Sequence, residues 1–406
     1  MATGSEASMR IAVVNLLMRT AKSELPLPQL DKTIPREDLA ADSPMVVALG
    51  DELARMGHDV DIFVGSIFKV VGDRGKGRNA SLVCVEEKLR FLFPPTYYPF
   101  APSVMSHLDK GGYDIVMTTD LIQPCTLMSM CSRATKPGLF VWEELASHPR
   151  FPVRWYSKAL YAVMRARRFR GIRRAMPRSE SAREFLLSQG TPPALVSRTI
   201  PNAVDCRLFT PDHDEDFFER IGAKAPPRPR TLMVARVDRT KGIETFLKAA
   251  KVAIDRGHKG GFVLKATGKS TSEVEEAART IGVEDHVSII GGYLPREDLA
   301  NLMSSCDLCA APSTGDLLFF VPLEAMASGL PVITTTQTHH ARTFADGKAG
   351  VIIEPNDPAA LAGAITDISG DAQRLRRMSA AARETAVAEF SLESVARKLV
   401  EEFEKP

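Results

Sequence analysis

Two cations and two carboxylates in the second half of this 406-residue chain have the types and spacing to hold a phosphorylated sugar. Arg236 and Lys241 lie in ARVDRTKG, directly after the apolar run RTLMV and directly before a helix-period segment. A guanidinium fork, an ammonium point charge and the free N–H groups of a helix N-terminus together suit a diphosphate. A loop with two solvated cations would read the same way. Asp316 and Glu324 stand further on, in DLLFFVPLEAMASG. Glu324 follows Pro322 and is expected in the first turn of a helix, where a carboxylate favours the dipole and accepts from hydroxyls. One such acid alone is ordinary helix-start chemistry. A sugar and a ribose together need carboxylate acceptors for several hydroxyls, and the Arg/Lys loop tips the reading that way.

The elements that must position these residues alternate, strand-like runs with helix-period segments, as in parallel α/β sheets. MRIAVVN reads as the opening strand, and the proline-bearing segment from Leu16 to Ser43 as an extended loop. PMVVALGDELARMGHDV reads as a helix stopped at Gly57, with DVDIFV the next strand. YDIVMTT, GLFVW and RTIPN are further strand candidates. CRLFTPDHDEDFFERIGAKAPPRPR is acidic, then proline-rich, and reads as a linker. RTLMVAR, FVLKATG, VSIIGG, DLCAAPS and LPVITTT then alternate with helices, and SLESVARKLVEEFEKP closes the chain. The expected organisation is a Rossmann-like domain over 1–207, a second over 208–388, and a helix over 389–406 packing back on the first. Ligands of such sheets bind beyond the carboxyl ends of the strands, here facing a cleft between domains.

Composition narrows the class. The chain is 44% hydrophobic and 25% charged, with a formal net charge of +2, and no nucleic-acid reading motif is present. MATGSEAS is polar rather than basic-then-apolar, and no apolar run reaches the ~20 residues of a bilayer span, so a cytoplasmic location is expected. Six cysteines are scattered; Cys306 and Cys309 form a CxxC without a second pair or His pair at zinc spacing and read as core residues. Asp59-Val60-Asp61 and Asp214-Glu215-Asp216 are DxD strings, one within a strand and one in the linker. Neither points to a metal, and no cofactor is expected.

In sequence order, these motifs resemble the retaining glycosyltransferases of the GT-B fold, specifically the large fourth family. MRIAVVN and MVVALGDELARMGHDVDIF resemble its opening strand–helix–strand, and SESAREFLLSQG and IPNAVDCRLFTP its interdomain approach. LMVARVDRTKGIETFLKAA, VSIIGGYLPREDLANLMSSCDLCAAPS and PLEAMASGLPVITT resemble its donor domain. The resemblance implies transfer of a sugar from a nucleotide-diphosphate sugar, with same-face attack and the departing phosphate helping to take the acceptor proton. It implies that Arg236 and Lys241 hold the diphosphate and that Glu324 binds the ribose. Asp316 falls where the family has a sugar-contacting glutamate. The family's Glu-Gly-Phe-Gly is Asp-Leu-Leu-Phe here, leaving the backbone N–H groups of Leu317, Leu318 and Phe319 for the diphosphate or sugar. Gly292, Tyr293 and Leu294 match a turn lying against the nucleotide base.

The amino-terminal half departs further from the family. Its paired-glycine loop and active-site histidine are not evident, and Glu143, Glu144 and His148 occupy the neighbourhood of that histidine. A contact of these residues with sugar or acceptor, or a plain surface cluster, fits equally. Between Arg150 and Arg178 stand ten Lys or Arg and no acid, interleaved with Trp155, Tyr156, Tyr161 and Phe169. As an amphipathic helix this segment would suit an anionic membrane surface and a lipid-linked acceptor; a core helix with a solvated cationic face is the plainer account. A glycan, a lipid-linked molecule or a small molecule would serve as acceptor, in cell-surface polysaccharide or glycolipid synthesis. The rival reading is a catalytically silent homologue acting as a scaffold.

Overall fold

The apolar runs become strands with parallel neighbours, as a chain that covers both faces of its sheets with helices requires. The computed structural model describes residues 8–16, 33–35, 45–65, 69–71, 79–89, 99–135, 138–148, 153–212, 216–267, 271–292, 294–315, 320–338, 341–344 and 346–405. The chain divides into two units, Met1–Asn202 with Val395–Pro406, and Ala203–Ser394.

The first unit is built on β1 (Arg10–Val14), β3 (Asp59–Gly65), β5 (Ser81–Val85), β6 (Ile115–Thr119), β7 (Leu139–Glu143) and β8 (Ile172–Pro177). Their order across the sheet is β5-β3-β1-β6-β7-β8, all parallel. Beside it, β2 (Thr33–Pro35) and β4 (Lys69–Val71) make a two-stranded parallel ladder, so part of the segment expected as loop is strand. The second unit repeats the plan with β9 (Arg230–Arg236), β10 (Gly261–Thr267), β11 (Val287–Ile290), β12 (Leu308–Ala311), β13 (Val332–Thr335) and β14 (Gly350–Ile353), in the order β11-β10-β9-β12-β13-β14. Both are doubly wound sheets whose strand order reverses beside the opening strand, at β1/β6 and at β9/β12. The α/β, two-Rossmann expectation holds.

Four local readings change. RTIPN forms no ladder: Pro201 has no N–H to give, and the segment is instead tied by Ile200 N–H to Pro177 O (2.8 Å) and by Trp142 Nε1 to Ile200 O (2.7 Å). The basic stretch is not one helix. Its helix runs Val153–Ala166, the chain turns through left-handed Arg168, Phe169 and Gly171, and IRRAMP becomes β8. The expected linker is anchored rather than free: its described residues are mostly exposed or half-buried, but Phe209, Phe217 and Phe218 are buried in the core of the second unit. Glu324 lies in the second turn of the helix Phe320–Ala327, not the first, because that helix starts ahead of Pro322.

The closing helix, Leu392–Phe403, begins in the second unit and ends in the first. There Phe403 meets Phe140 edge-on at 5.0 Å, and buried Glu402 faces Arg174 (3.9 Å) and Arg198 (4.0 Å).

Candidate functional site

The strongest constellation sits at the reversal point of the second sheet. β9 delivers Arg236 at its carboxyl end. Asp238 then caps a single turn, Arg239–Lys241, by accepting from the N–H (2.7 Å) and hydroxyl (2.6 Å) of Thr240, which hold its carboxyl below the usual range. Gly242 follows with φ 77°, and a Cβ there would lie 2.2 Å from the carbonyl oxygen of Pro312, so this close approach requires glycine. The helix Ile243–Asp255 starts immediately. The neighbouring loop is fastened to this one: Thr314 N–H and the Ser313 hydroxyl both donate to Thr240 O, at 2.8 and 3.0 Å.

These loops enclose a recess of about 190 Å³, lined by Arg236, Lys241, Thr267, Ala311, Ser313 and the first residues of the helix Phe320–Ala327. Two cations, two hydroxyls and a helix start converge on one volume, which is chemistry for a phosphorylated ligand. Thr267 and Ser313 were not singled out by sequence; the signal was their place at the ends of the strands flanking β9.

Glu324, on the same helix, is buried and pairs with Arg296 at 3.2 Å. Burial pushes its carboxyl up against the opposing pull of Arg296. Arg296 itself lies over the Phe209 ring at 5.1 Å. Gly292 adopts a left-handed φ of 71°, and its carbonyl accepts from Lys265 Nζ at 2.6 Å. Leu294 packs against the core. Tyr293, Asp316, Leu317, Leu318 and Phe319 lie outside the described residues.

In the first unit, Glu143 and Glu144 end β7 on a different kind of site. Glu143 is fully buried; its carboxyl accepts from Leu121 N–H (2.9 Å), with the Tyr161 hydroxyl at 3.5 Å. Asp120, at the end of β6 with φ 51°, returns the arrangement by accepting from Glu144 N–H at 2.7 Å. Burial, then the nearness of Asp120, pushes the Glu143 carboxyl well up, while Arg178 draws it down. Glu144 pairs with Arg178 (2.9 Å), whose guanidinium stacks over Trp142 at 4.1 Å and reaches Asn202 Oδ1 at 3.2 Å. His148 is set in rings rather than beside a carboxylate: Phe185 and Tyr161 meet it edge-on at 5.1 and 5.8 Å, Nδ1 contacts the Ser157 hydroxyl at 2.8 Å, and burial lowers its pKa. Sequence named Glu143, Glu144 and His148 but missed Asp120, Arg178 and Asn202, which join the first two from three separate segments.

Cys306 and Cys309 are buried, and burial raises both thiols, that of Cys309 to about 12. Among the described residues no group of three or more His, Cys, Asp or Glu is placed to hold a metal, and no helix is long and apolar enough to cross a membrane.

Two doubly wound sheets, one with a cationic recess at its reversal point, define a GT-B glycosyltransferase architecture. The sequence profile described as Glycosyl transferases group 1 matches residues 214–385, and that of Glycosyltransferase Family 4 matches residues 44–234. This chain belongs to the group 1 glycosyltransferases. It is 32% identical over 218 residues to a D-inositol 3-phosphate glycosyltransferase of Corynebacterium urealyticum, covering 51% of this chain and 50% of that one. It is 27% identical over 215 residues to the GDP-mannose-dependent alpha-(1-6)-phosphatidylinositol monomannoside mannosyltransferase of Mycobacterium tuberculosis, covering 52% and 56%. The matches thus span about half the length of these curated relatives. Among solved structures, sucrose-phosphate synthase from Thermosynechococcus elongatus superposes with a TM-score of 0.67 at 20% identity, covering 97% of this chain and 98% of that one. HepE of Anabaena in complex with UDP gives 0.68 at 16% identity, covering 97% and 99%.

Proposed function

We propose that this chain is a retaining, metal-independent glycosyltransferase that moves a sugar from a nucleoside-diphosphate sugar to a glycan, lipid-linked or small-molecule acceptor. The observation that carries this reading is the convergence of Arg236 and Lys241 on one recess at the β9/β12 reversal point. In the reaction the bond from the sugar's anomeric carbon to the donor phosphate breaks, and a bond from the acceptor oxygen to that carbon forms on the same face. The acceptor's proton passes to the departing phosphate oxygen. Arg236 and Lys241 stabilise the negative charge that gathers on the diphosphate, so the protein supplies positioning and electrostatics in place of a strong base. Glu324 accepts from the ribose, and the Gly292–Leu294 turn lies against the base. The same reading gives Asp316 and the backbone of Leu317 to Phe319 the role of binding the sugar, and assigns His148, Glu143 and Glu144 to the acceptor side, the two glutamates by holding its loops.

The acceptor side gains support from the helix Val153–Ala166. Trp155 is 69% exposed and Val163 52%, with Arg154, Lys158 and Arg165 on the same element, a composition suited to an anionic membrane surface. A peripheral position on the inner membrane face, serving a lipid-linked acceptor, is consistent with a relative named for a phosphatidylinositol mannoside.

A thermal-shift screen against UDP, GDP, ADP and CMP tests the donor site. A rise with one nucleotide is expected and names the donor's base. No shift with any of them, together with an absence of donor turnover, would replace this reading with the silent scaffold.

A further inference from the structure

One buried charge in the second unit has no part in the chemistry above. Lys265, in β10, is 1% exposed, and an ammonium so enclosed loses its hydration. It is repaid by backbone alone. Nζ donates to the carbonyl oxygens of Gly292 (2.6 Å), Ala266 (3.3 Å) and Gly291 (3.4 Å), three acceptors for three N–H bonds. No carboxylate among the described residues shares in this arrangement.

Its place in the sheet explains the choice. Lys265 is in register with Val234, and Thr267 with Arg236. Alternation along β10 puts Lys265 on the sheet face of Thr267, which lines the recess. The turn it grips carries no side chains of its own to anchor it: Gly291 has Thr271 2.4 Å from where a Cβ would be, and Gly292 is left-handed. A trans peptide sends its N–H away from its carbonyl, so the Gly291 oxygen turned inward to Lys265 turns the Gly292 N–H outward. An apolar side chain at 265 would fill the same space but leave the turn free to rotate.

We propose that Lys265 is the positioning residue for the nucleotide end of the donor site: its ammonium fixes the Gly291–Gly292 turn so that the outward N–H stays aimed at the base of a bound nucleoside diphosphate. This rests on the reading of that turn given under the proposed function. Burial, the one cause acting on it, pushes the Lys265 pKa down to about 8. Among the described residues the charged or titratable groups on that side of the sheet include Arg230 and Arg236 on β9, Lys241 beside the recess, Glu324 and Arg296 on the covering helices, and the thiols of Cys306 and Cys309, and none of them shifts Lys265. The grip therefore loosens as pH rises through about 8, where an arginine stays charged. Stability moves the other way. The unfolded chain keeps the lysine proton up to ~10.4, so between the two values it binds more protons and this group favours folding as pH rises.

The test is calorimetry of UDP, GDP and ADP on the full chain, at pH 7 and pH 9, with wild type, Lys265→Met, Lys265→Gln and Lys241→Ala. Wild type is expected to lose affinity for its preferred nucleotide at least threefold between the two pH values. Lys265→Met is expected to bind at least tenfold more weakly at pH 7, with no further loss at pH 9. Lys265→Gln, which keeps N–H donors, is expected to recover part of the affinity with an equally flat profile. If Lys265→Met does not fold, the flat profile of Lys265→Gln decides. Wild-type affinity in a folded Lys265→Met, or a pH dependence that survives either substitution, would overturn the proposal. Binding weakened by Lys241→Ala alone would sink this inference and leave the donor site standing; no binding by wild type would sink both.

Discussion

The two sheets share one strand order and use their reversal points in opposite ways. At β9/β12 the strand ends carry cations and hydroxyls around an open recess, within loops fastened to each other where Ser313 and Thr314 both donate to Thr240 O. At β1/β6 and the adjoining β7 the strand ends carry carboxyls turned inward, each spent on a backbone N–H of the other's loop. Charge that stays near water can meet a ligand; charge enclosed with its partners holds loops in place. The fold supplies the crevice twice, and the residue types decide whether it binds or braces.

The contrast is tested hardest at Lys241. Lys241→Ala is expected to lower sugar transfer by about tenfold or more with an unchanged circular dichroism spectrum, the scale of losing one electrostatic contact to a leaving group. Near-normal turnover would remove it from the diphosphate. The bracing half predicts the converse. Glu143→Ala leaves the Leu121 N–H unpaired in the core, so a loss of about 1–3 kcal/mol is expected in urea unfolding. A Glu143→Ala protein as stable as wild type would show that this carboxyl does not hold the loop.

The Glu143 pKa also fixes a sign. A carboxyl whose folded pKa is raised above its unfolded value contributes stability at pH below the unfolded value and loses it as pH climbs through the folded one. Wild type should therefore lose stability above the ordinary carboxylate range, and Glu143→Gln should flatten that fall; parallel curves would count against it. Smaller still, Glu324→Gln keeps the shape of the Arg296 contact while removing charge, and nucleotide affinity is expected to drop several-fold by calorimetry. Unchanged affinity would end its ribose role. The least effect is expected from Trp155→Ala, which should reduce sedimentation with anionic vesicles at low salt, where wild-type binding falls as salt is added. Wild type that stays in the supernatant at low salt would dispose of the membrane surface.

Sequence alone disclosed the second unit better than the first, for a physical reason. Arg236 and Lys241 are separated by a single strand-to-helix loop, so spacing along the chain is nearly spacing in the fold. Asp120, Glu143, Arg178 and Asn202 come from four segments, and no local pattern links them. Charges also disguised structure. IRRAMP hid a strand because Arg173 and Arg174 interrupt its apolar run; in the fold the Arg173 guanidinium lies over the Phe140 ring and that of Arg174 approaches Glu402. Lys265 in FVLKATG resembles any solvent-facing strand residue, and nothing local says that its neighbours are carbonyl oxygens. Asp316 and its backbone, a strong sequence signal, lie outside the described residues.

The closing helix gives the molecule a timetable. All six strands of the first sheet leave the ribosome before residue 178, yet Phe140, Arg174 and Arg198 meet Phe403 and Glu402 only after the whole second unit has been made. At ~5–20 residues per second that interval is roughly 10–40 s. Through it the nascent first unit waits with an apolar ring and two arginines uncovered, a stretch in which a chaperone has something to hold and a stalled chain has something to stick to.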